Sequence, residues 1–267
     1  MQTMLSKINW ESLSVDYSNA KPFNHIVIDN FFVNDFAKTI SNQFPIYNQK
    51  LWFEHDNPIE IKKLNNNWNL FPPETYLMFT FFCHADFISQ LEKMVKVRLY
   101  PDYGLNGGGW HIHSNGGKLN IHKDYSVHPK LGLQRKLNLI VFMTMNWEKE
   151  YGGSLELWSH DKKLNGPFKK EKEIDPIFNR AIIFDTSVNS WHGLPKPMKL
   201  PKNIFRKTIT TYYLTDIGTN IDKHKRALFY PTEEQKGDKN IESFIKNRSE
   251  WKSKSIEFDN PYENLDE

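Results

Sequence analysis

The sequence predicts a mostly β fold of the α+β class, whose core is a jelly roll of the double-stranded β-helix (cupin-like) type. The first observation behind it is a change of pattern. From residue 107 to about residue 215 the chain consists of short β-rich segments separated by turn signals. The second is composition, because aromatic residues make up 14% of the 267 residues. Large flat side chains favour a β-rich core over a helical bundle built from Leu and Ala.

Eight segments of this region have the character of strands, which is the number that two Greek keys require. Glycine pairs at 116–117 and 152–153 supply two of the turns between them. The segments are GGWHIHS, KLNIHKDYS, KLNLIVFMTMNW, GSLELWS, EKEIDPIFN, RAIIFDTS, SWHGLP and RKTITTYYLT.

The N-terminal part, residues 1–105, is predicted to pack a strand and helices on this core. HIVIDNFF has the character of a strand, and Asn34 is placed to cap the helix that follows it. A second amphipathic helix, HADFISQLEKMVKVRL, is predicted to end at Pro101. Between the two helices, the Asn-rich stretch within 51–75 indicates a long surface excursion.

The division that follows is an N-terminal part, a catalytic core at 106–215 and a polar C-terminal appendage at 216–267, all within one structural domain. The appendage is predicted to be helical, with a loose end at NPYENLDE. Residues 51–75, residues 160–175 and the chain after 216 are the segments expected to shape a pocket.

Charge and cysteine content narrow the class of protein. The 35 basic and 32 acidic residues nearly cancel, with a net charge of +3, so no broad positive field for nucleic acid is expected. A single cysteine, Cys83, excludes an intramolecular disulfide and a multi-cysteine zinc site. With no apolar signal segment or membrane span in the sequence, we expect a soluble cytoplasmic protein without a membrane partner. The oligomeric state is left open.

The stretch KLNIHKDYSV places His122 and Asp124 two residues apart in a predicted strand. Residues two apart in a strand point to the same side, so an imidazole and a carboxylate project together. His192, in SVNSWHGLP, offers a third ligand. Two histidines and a carboxylate form the facial triad of non-haem Fe(II) oxygenases, which leaves metal positions open. Taken alone, an H-x-D pair is more often a surface hydrogen bond than a metal site.

The predicted strand RKTITTYYLT carries Arg206 and Thr208 on one face. A guanidinium with a hydroxyl two residues away can bind a carboxylate through a bidentate pair and a further hydrogen bond. The alternative is an exposed arginine on an edge strand. The order of the motifs favours the first interpretation, because H-x-D comes first, a histidine follows on a late strand, and an arginine follows on the next strand.

With these motifs the chain resembles the Fe(II)/2-oxoglutarate-dependent dioxygenases, in the branch with a prolyl 4-hydroxylase-like catalytic domain. The resemblance covers about residues 25–215. It implies that His122, Asp124 and His192 are the catalytic metal ligands, and that Arg206 with Thr208 binds the distal carboxylate of 2-oxoglutarate. The implied cofactors are Fe(II), 2-oxoglutarate as cosubstrate and O₂, with ascorbate as a candidate reductant. Prolyl 4-hydroxylases commonly bind that carboxylate with a lysine, so Arg206 is a departure from their pattern.

Two further residues are candidates for the cosubstrate site. Members of the family often contact the cosubstrate with a side chain nine to eleven residues before the first ligand, where this chain has His113 and His111. We predict His113 as the contact, with a core or rim histidine as the alternative. Asn120 is predicted to share the inward face with His122 and to orient a ligand or the substrate.

The function predicted is hydroxylation of an unactivated C–H bond, of a small molecule or of a protein side chain, with succinate and CO₂ as coproducts. Asp124 supports hydroxylation, because related halogenases have a small residue at that position. Two other functions compete: a nucleic-acid demethylase on the same fold and a non-catalytic cupin-like binding module. A basic groove would favour the demethylase, and failure to bind iron would favour the binding module. The sequence does not identify the substrate.

Overall fold

The structure is a computed structural model that describes residues 4–219 and 226–250. Five α-helices are present in these ranges: α1 (Trp10–Asn19), α2 (Asn34–Asn42), α3 (Pro73–Phe82), α4 (Ala85–Val95) and α5 (Lys239–Ser249). The strands are β1 (His25–Ile28), β2 (Phe53–Asn57), β3 (Glu60–Asn65), β4 (Tyr100–Pro101), β5 (Gly109–His113), β6 (Lys118–Lys123), β7 (Gln134–Phe142), β8 (Leu155–Asp161), β9 (Gly166–Ile174), β10 (Ala181–Asp185), β11 (Trp191–Leu194), β12 (Arg206–Thr215) and β13 (Leu228–Phe229).

The strands form a curled, antiparallel sheet in the order β1-β10-β7-β12-β5-β3-β6-β11-β8-β9. Strands that follow one another in the chain are often not adjacent in the sheet, as the Greek-key connections of a jelly roll require. The eight predicted core segments correspond to β5 through β12, so the predicted fold class is confirmed. Two boundaries were wrong. Strand β7 ends at Phe142, before the predicted MTMNW, and β9 begins at Gly166 and ends at Ile174, before the predicted DPIFN.

Two apolar clusters lie on opposite sides of the curled sheet. The larger packs the N-terminal helices on the outer face and includes Phe31, Phe79, Phe82 and Trp110, all fully buried. The smaller fills the inside of the curl and includes Phe142, Leu155 and Phe184. Phe184 is in edge contact with the ring of His192, 4.7 Å between centroids. The polar side chains predicted to bind metal therefore lie above an apolar floor inside the curl.

The N-terminal helices differ from prediction at their ends. Helix α2 begins at Asn34, but Val33 occupies the cap position and Asn34 is the first helical residue. Helix α4 ends at Val95 instead of continuing to Pro101, because Lys96 adopts a left-handed conformation, with φ of 60°, that terminates the helix.

The prediction of a surface excursion within 51–75 was wrong. This region contains β2, β3 and the start of α3, and β3 is inserted into the sheet between β5 and β6. The proline pair starts α3 because Pro73 occupies its first turn, where no backbone N–H is needed. Polar composition concealed β3, although four of its six residues are buried.

The C-terminal segment packs on the core, as predicted for an appendage. Strand β13 pairs with β6, so that Phe229 lies opposite His122. Helix α5 follows, capped by Asp238. The predicted loose end NPYENLDE lies outside the described residues. None of the helices in the described ranges is long and apolar enough to cross a membrane.

Candidate metal and cosubstrate site

Three side chains predicted to bind metal converge in one place. Antiparallel pairing of β6 and β11 puts His192 directly opposite His122, and Asp124 follows the end of β6. The Nε2 atom of His122 is 3.7 Å from Asp124 Oδ1, and that of His192 is 3.8 Å from Asp124 Oδ2. One ligand atom from each residue lies within 4.8 Å of the other two, and all three residues are buried. This donor set fits a divalent metal ion of the Fe(II) type.

In both histidines the Nδ1 atom, which faces away from Asp124, fixes the orientation of the imidazole. The Nδ1 atom of His122 is 3.0 Å from the backbone oxygen of Asn120, and that of His192 is 2.8 Å from the backbone oxygen of Ser190. A carbonyl accepts only from a protonated Nδ1, so the lone pair is on Nε2 and faces Asp124. Burial, followed by the neighbouring imidazole of His122, lowers the pKa of His192 to about 4, which keeps it neutral and able to bind metal.

Asp124 is ionised despite its burial. Burial alone would raise the pKa of its carboxyl group, but the interactions with His122 and His192 and the positive charge of Arg135 lower the pKa below its usual value. The amide of Asn138 donates to Asp124 Oδ2 at 3.3 Å. A buried carboxylate held in its charged form is suited to a divalent cation.

Arg206 is a buried cation at the same cavity. Strand β12 directs Arg206, Thr208 and Thr210 into the cavity, as strand alternation predicted. The Nε atom of Arg206 donates to the backbone oxygen of Gly153 at 2.7 Å. Among the described residues no carboxylate forms an ion pair with its guanidinium, and burial lowers its pKa to about 9. Since an uncompensated buried charge is costly, this position favours an anionic ligand.

His113 lies beside Arg206, because the two residues pair across β5 and β12. Neither ring nitrogen of His113 has a hydrogen-bond partner within the described parts of the chain, although the residue is only 3% exposed. His111 lies on the same face and also lines the cavity. An imidazole with two unpartnered nitrogens next to a buried guanidinium has the donors and acceptors that a carboxylate ligand would use.

The prediction that Asn120 faces the metal site was wrong. Its amide donates to the backbone oxygen of Tyr230 at 3.0 Å and to the side chain of Gln235 at 2.6 Å. The reason is a bulge, because Leu194 pairs with Leu119 and leaves one extra residue in β6 before His122. The bulge turns Leu119 toward the cavity and Asn120 toward the C-terminal segment.

Three further features were missed by sequence analysis. Arg135 is fully buried, with its guanidinium between the rings of Tyr125 and Tyr212, at 3.5 and 3.3 Å, and with Nη1 3.8 Å from Asp124 Oδ1. The ring of Phe229 is stacked on His122, 5.1 Å between centroids. The third feature is the buried carboxylate of Glu60 with its ion-pair partners Lys62 and Arg248. No local motif marks these residues.

Together these residues line a cavity of about 300 Å³. Its walls come from β3, the core strands and the C-terminal segment, which contributes Arg226, Phe229 and Arg248. The regions 51–75 and after 216 therefore shape the pocket, as predicted. The region 160–175 does not line it, because this region forms the hairpin of β8 and β9.

We predict that the metal-free protein loses stability as the pH falls below about 6.5. Burial lowers the pKa of His111 from its usual 6.5 to about 3 and lowers that of His113 well below 6.5. Between the pKa of each histidine in the unfolded chain and its lower pKa in the folded chain, the unfolded chain binds a proton that the folded chain excludes. The free energy of unfolding therefore decreases by up to about 1.4 kcal/mol for each such group with every unit by which the pH falls. Urea unfolding across this range measures it.

The variant His111→Gln should flatten this pH dependence. The matched control is His84→Gln, because His84 is exposed at the start of α4 and should leave the slope unchanged. Equal slopes in His111→Gln and the parent protein would contradict the prediction.

Comparison with known proteins places this geometry in a class. The model of the 2OG-Fe(II) oxygenase superfamily matches residues 108–214, which contain the triad and Arg206. The catalytic region thus matches the 2-oxoglutarate-dependent Fe(II) dioxygenases in sequence and in its donor set, which confirms the predicted type of enzyme and its cofactors. More particularly, the chain resembles the prolyl 4-hydroxylase-like branch of that superfamily. The search of curated proteins found no match.

Solved structures share the fold at low sequence identity. A prolyl hydroxylase from Trichoplax adhaerens, in complex with a hypoxia-inducible-factor peptide, is 19% identical with a TM-score of 0.55, and the match covers 77% of this chain and 90% of that one. A prolyl-4-hydroxylase from Pseudomonas putida is 9% identical with a TM-score of 0.56, covering 79% and 100%. HygX from Streptomyces hygroscopicus, with nickel, 2-oxoglutarate and hygromycin B bound, is 12% identical with a TM-score of 0.52, covering 86% and 95%.

Proposed function

We propose that His122, Asp124 and His192 hold Fe(II), and that Arg206, Thr208 and His113 hold 2-oxoglutarate, in an enzyme that hydroxylates a C–H bond. The observation that supports this assignment best is the convergence of three buried donors within 4.8 Å, in the cavity that also contains the uncompensated Arg206 guanidinium. One cavity thus offers a metal site and an anion site, as a metal-chelating dicarboxylate requires.

When bound, Fe(II), 2-oxoglutarate and O₂ supply the oxidising power for hydroxylation and yield succinate and CO₂. The chain's own residues do the positioning. The carbonyl oxygens of Asn120 and Ser190 hold the proton of each imidazole on Nδ1. Arg206 would hold the distal carboxylate of the cosubstrate, and the apolar floor with Leu155 and Phe184 would exclude water from the reacting atoms.

The substrate class is a small molecule or a protein side chain. Both kinds occur among proteins of this fold, since the Trichoplax enzyme binds a peptide and HygX binds hygromycin B. A cytoplasmic location remains a prediction, supported by the single cysteine, Cys83.

The test is anaerobic reconstitution with Fe(II), followed by measurement of succinate formation from 2-oxoglutarate on addition of O₂. We expect slow succinate formation without a primary substrate and faster formation with one. The panel should contain amino acids, peptides, sugars, nucleosides and a methylated oligonucleotide. Stimulation by the oligonucleotide alone would favour the demethylase, and failure to bind either Fe(II) or 2-oxoglutarate would favour a binding module.

A further inference from the structure

A second charged group lines the cavity, separate from the proposed metal ligands. It consists of Glu60 and Lys62 on β3 and Arg248 on α5, and we call it the Glu60 wall. Glu60 Oε1 is 2.5 Å from Arg248 Nη2, and Glu60 Oε2 is 3.3 Å from Lys62 Nζ. The Nδ1 atom of His55 is 3.2 Å from Oε1. The wall thus joins the inserted strand to the C-terminal helix.

Glu60 serves to hold cations and is not free to bind one from outside. Its side chain is 1% exposed, and both carboxylate oxygens already face nitrogen donors. Although burial acts to raise the pKa of Glu60, the charge of Lys62 and the hydrogen bond with His55 keep that pKa below its usual value. A carboxylate engaged in this way fixes the positions of Lys62 and Arg248 at the cavity surface.

The cavity as a whole is positively charged. Among the described residues that line it, two are acidic, Glu60 and Asp124. Six lining side chains are cationic: Lys62, Lys130, Arg135, Arg206, Arg226 and Arg248. Binding of a divalent cation together with the 2-oxoglutarate dianion adds no net charge, so the excess of positive charge persists when both are present. A cavity lined by one sign of charge concentrates ligands of the opposite sign.

The Lys62 ammonium lies at the Glu60 carboxylate, and after burial its charge also helps to lower the pKa of His111. Lys63 pairs with Ile112 across β3 and β5, and Arg206 pairs with His113 across β12 and β5. The backbones of Lys62, His113 and Arg206 therefore lie side by side on neighbouring strands. The ion pair with Glu60 holds the Lys62 ammonium toward Glu60, whose backbone lies two residues, or roughly 7 Å, further along β3. One of its three donors faces Glu60, and the group lines the cavity.

We propose that the primary substrate is a small organic anion whose carboxylate or phosphate group binds Lys62 on the Glu60 wall. This inference rests on the proposed function, because it assigns a second ligand to the same cavity. The cavity volume of about 300 Å³ is at the lower end of the range for small-molecule sites and must also hold 2-oxoglutarate. A small substrate fits that space, and its anionic group offsets the excess positive charge.

The test uses the full-length protein loaded with nickel and saturated with 2-oxoglutarate, titrated with inorganic sulfate in a calorimeter. We expect sulfate to bind the parent protein and Lys62→Arg, and to bind Lys62→Met about tenfold or more weakly, as loss of a charge-assisted hydrogen bond predicts. Titration with acetate and with methyl phosphate then distinguishes a carboxylate from a phosphate substrate.

The matched control is Lys63→Met, which removes the same charge from the same strand. Lys63 does not line the cavity and instead pairs with Glu54 at 3.3 Å, so sulfate binding should be unchanged. Thermal unfolding shows whether each variant is folded. The proposal is overturned if the loaded parent protein binds none of the three anions, or if Lys62→Met binds them as well as the parent does. A loss of 2-oxoglutarate affinity in Lys62→Met with anion binding intact also overturns it.

Binding of nickel and 2-oxoglutarate tests the proposed function separately from the anionic substrate. If the parent protein binds no nickel and no 2-oxoglutarate, the proposed function is wrong. If it binds both but binds none of the three anions, the proposed function stands and the anionic substrate is wrong.

Discussion

Asp124→Ala and Asp124→Asn should each abolish 2-oxoglutarate turnover and weaken metal binding by more than about 100-fold. The reason is that each variant removes the only charged donor of the proposed triad, and substitutions outside the ligand set alone cost about 10- to 100-fold. Two measurements check this: equilibrium dialysis with Ni(II), and succinate formation after reconstitution with Fe(II).

Asp124→Asn keeps the size of the side chain, so it separates loss of the ligand from loss of packing around Arg135. Asp161→Asn is the matched control, since Asp161 lies outside the cavity lining and accepts from the backbone N–H of Lys163 at the β8–β9 turn. We expect this control to keep full turnover and metal binding. Turnover at the parent rate in either Asp124 variant would refute the assignment of the metal site.

Arg206→Met should raise the Kd for 2-oxoglutarate by about 100-fold and leave Ni(II) binding intact. Bonds from a charged donor contribute about 1.5–3 kcal/mol each, and a bidentate pair would lose two of them. The Nε atom is already engaged by Gly153, so the terminal nitrogens are the ones expected to bind the ligand. Titration of the nickel-loaded protein with 2-oxoglutarate measures the effect.

Arg206→Lys should recover part of this affinity, because an ammonium restores the charge but not the planar pair of donors. The control is Lys207→Met, on the other face of β12, where Lys207 Nζ donates to the backbone oxygen of Ser41 at 3.2 Å. An unchanged Kd in Arg206→Met would show that this guanidinium does not bind the cosubstrate.

The metal triad was predictable because most of its geometry is local. The two-residue spacing of His122 and Asp124 needs only strand geometry, and the same rule put Arg206 and Thr208 on one face. That rule failed at Asn120, because a bulge depends on the partner strand. The bulge appears only when β6 is paired with β11.

Burial also depended on long-range contacts. Strand β3 has the polar composition of a loop, yet it is paired on both sides, and its Glu60 is buried because Arg248, 188 residues later, neutralises it. Arg135 has no sequence motif, and its position between two tyrosine rings follows from the packing of β7, β12 and the turn after β6.

The sequence by itself determined the class of the fold, the three proposed metal ligands and the cation for the cosubstrate, because strand periodicity and the chemistry of side chains are written along the chain. The tertiary structure alone decided which elements complete the cavity, the neighbours that orient each ligand, and the sign of the charge around the substrate. Those properties arise from contacts between residues far apart in the chain, and local periodicity carries no information about such partners.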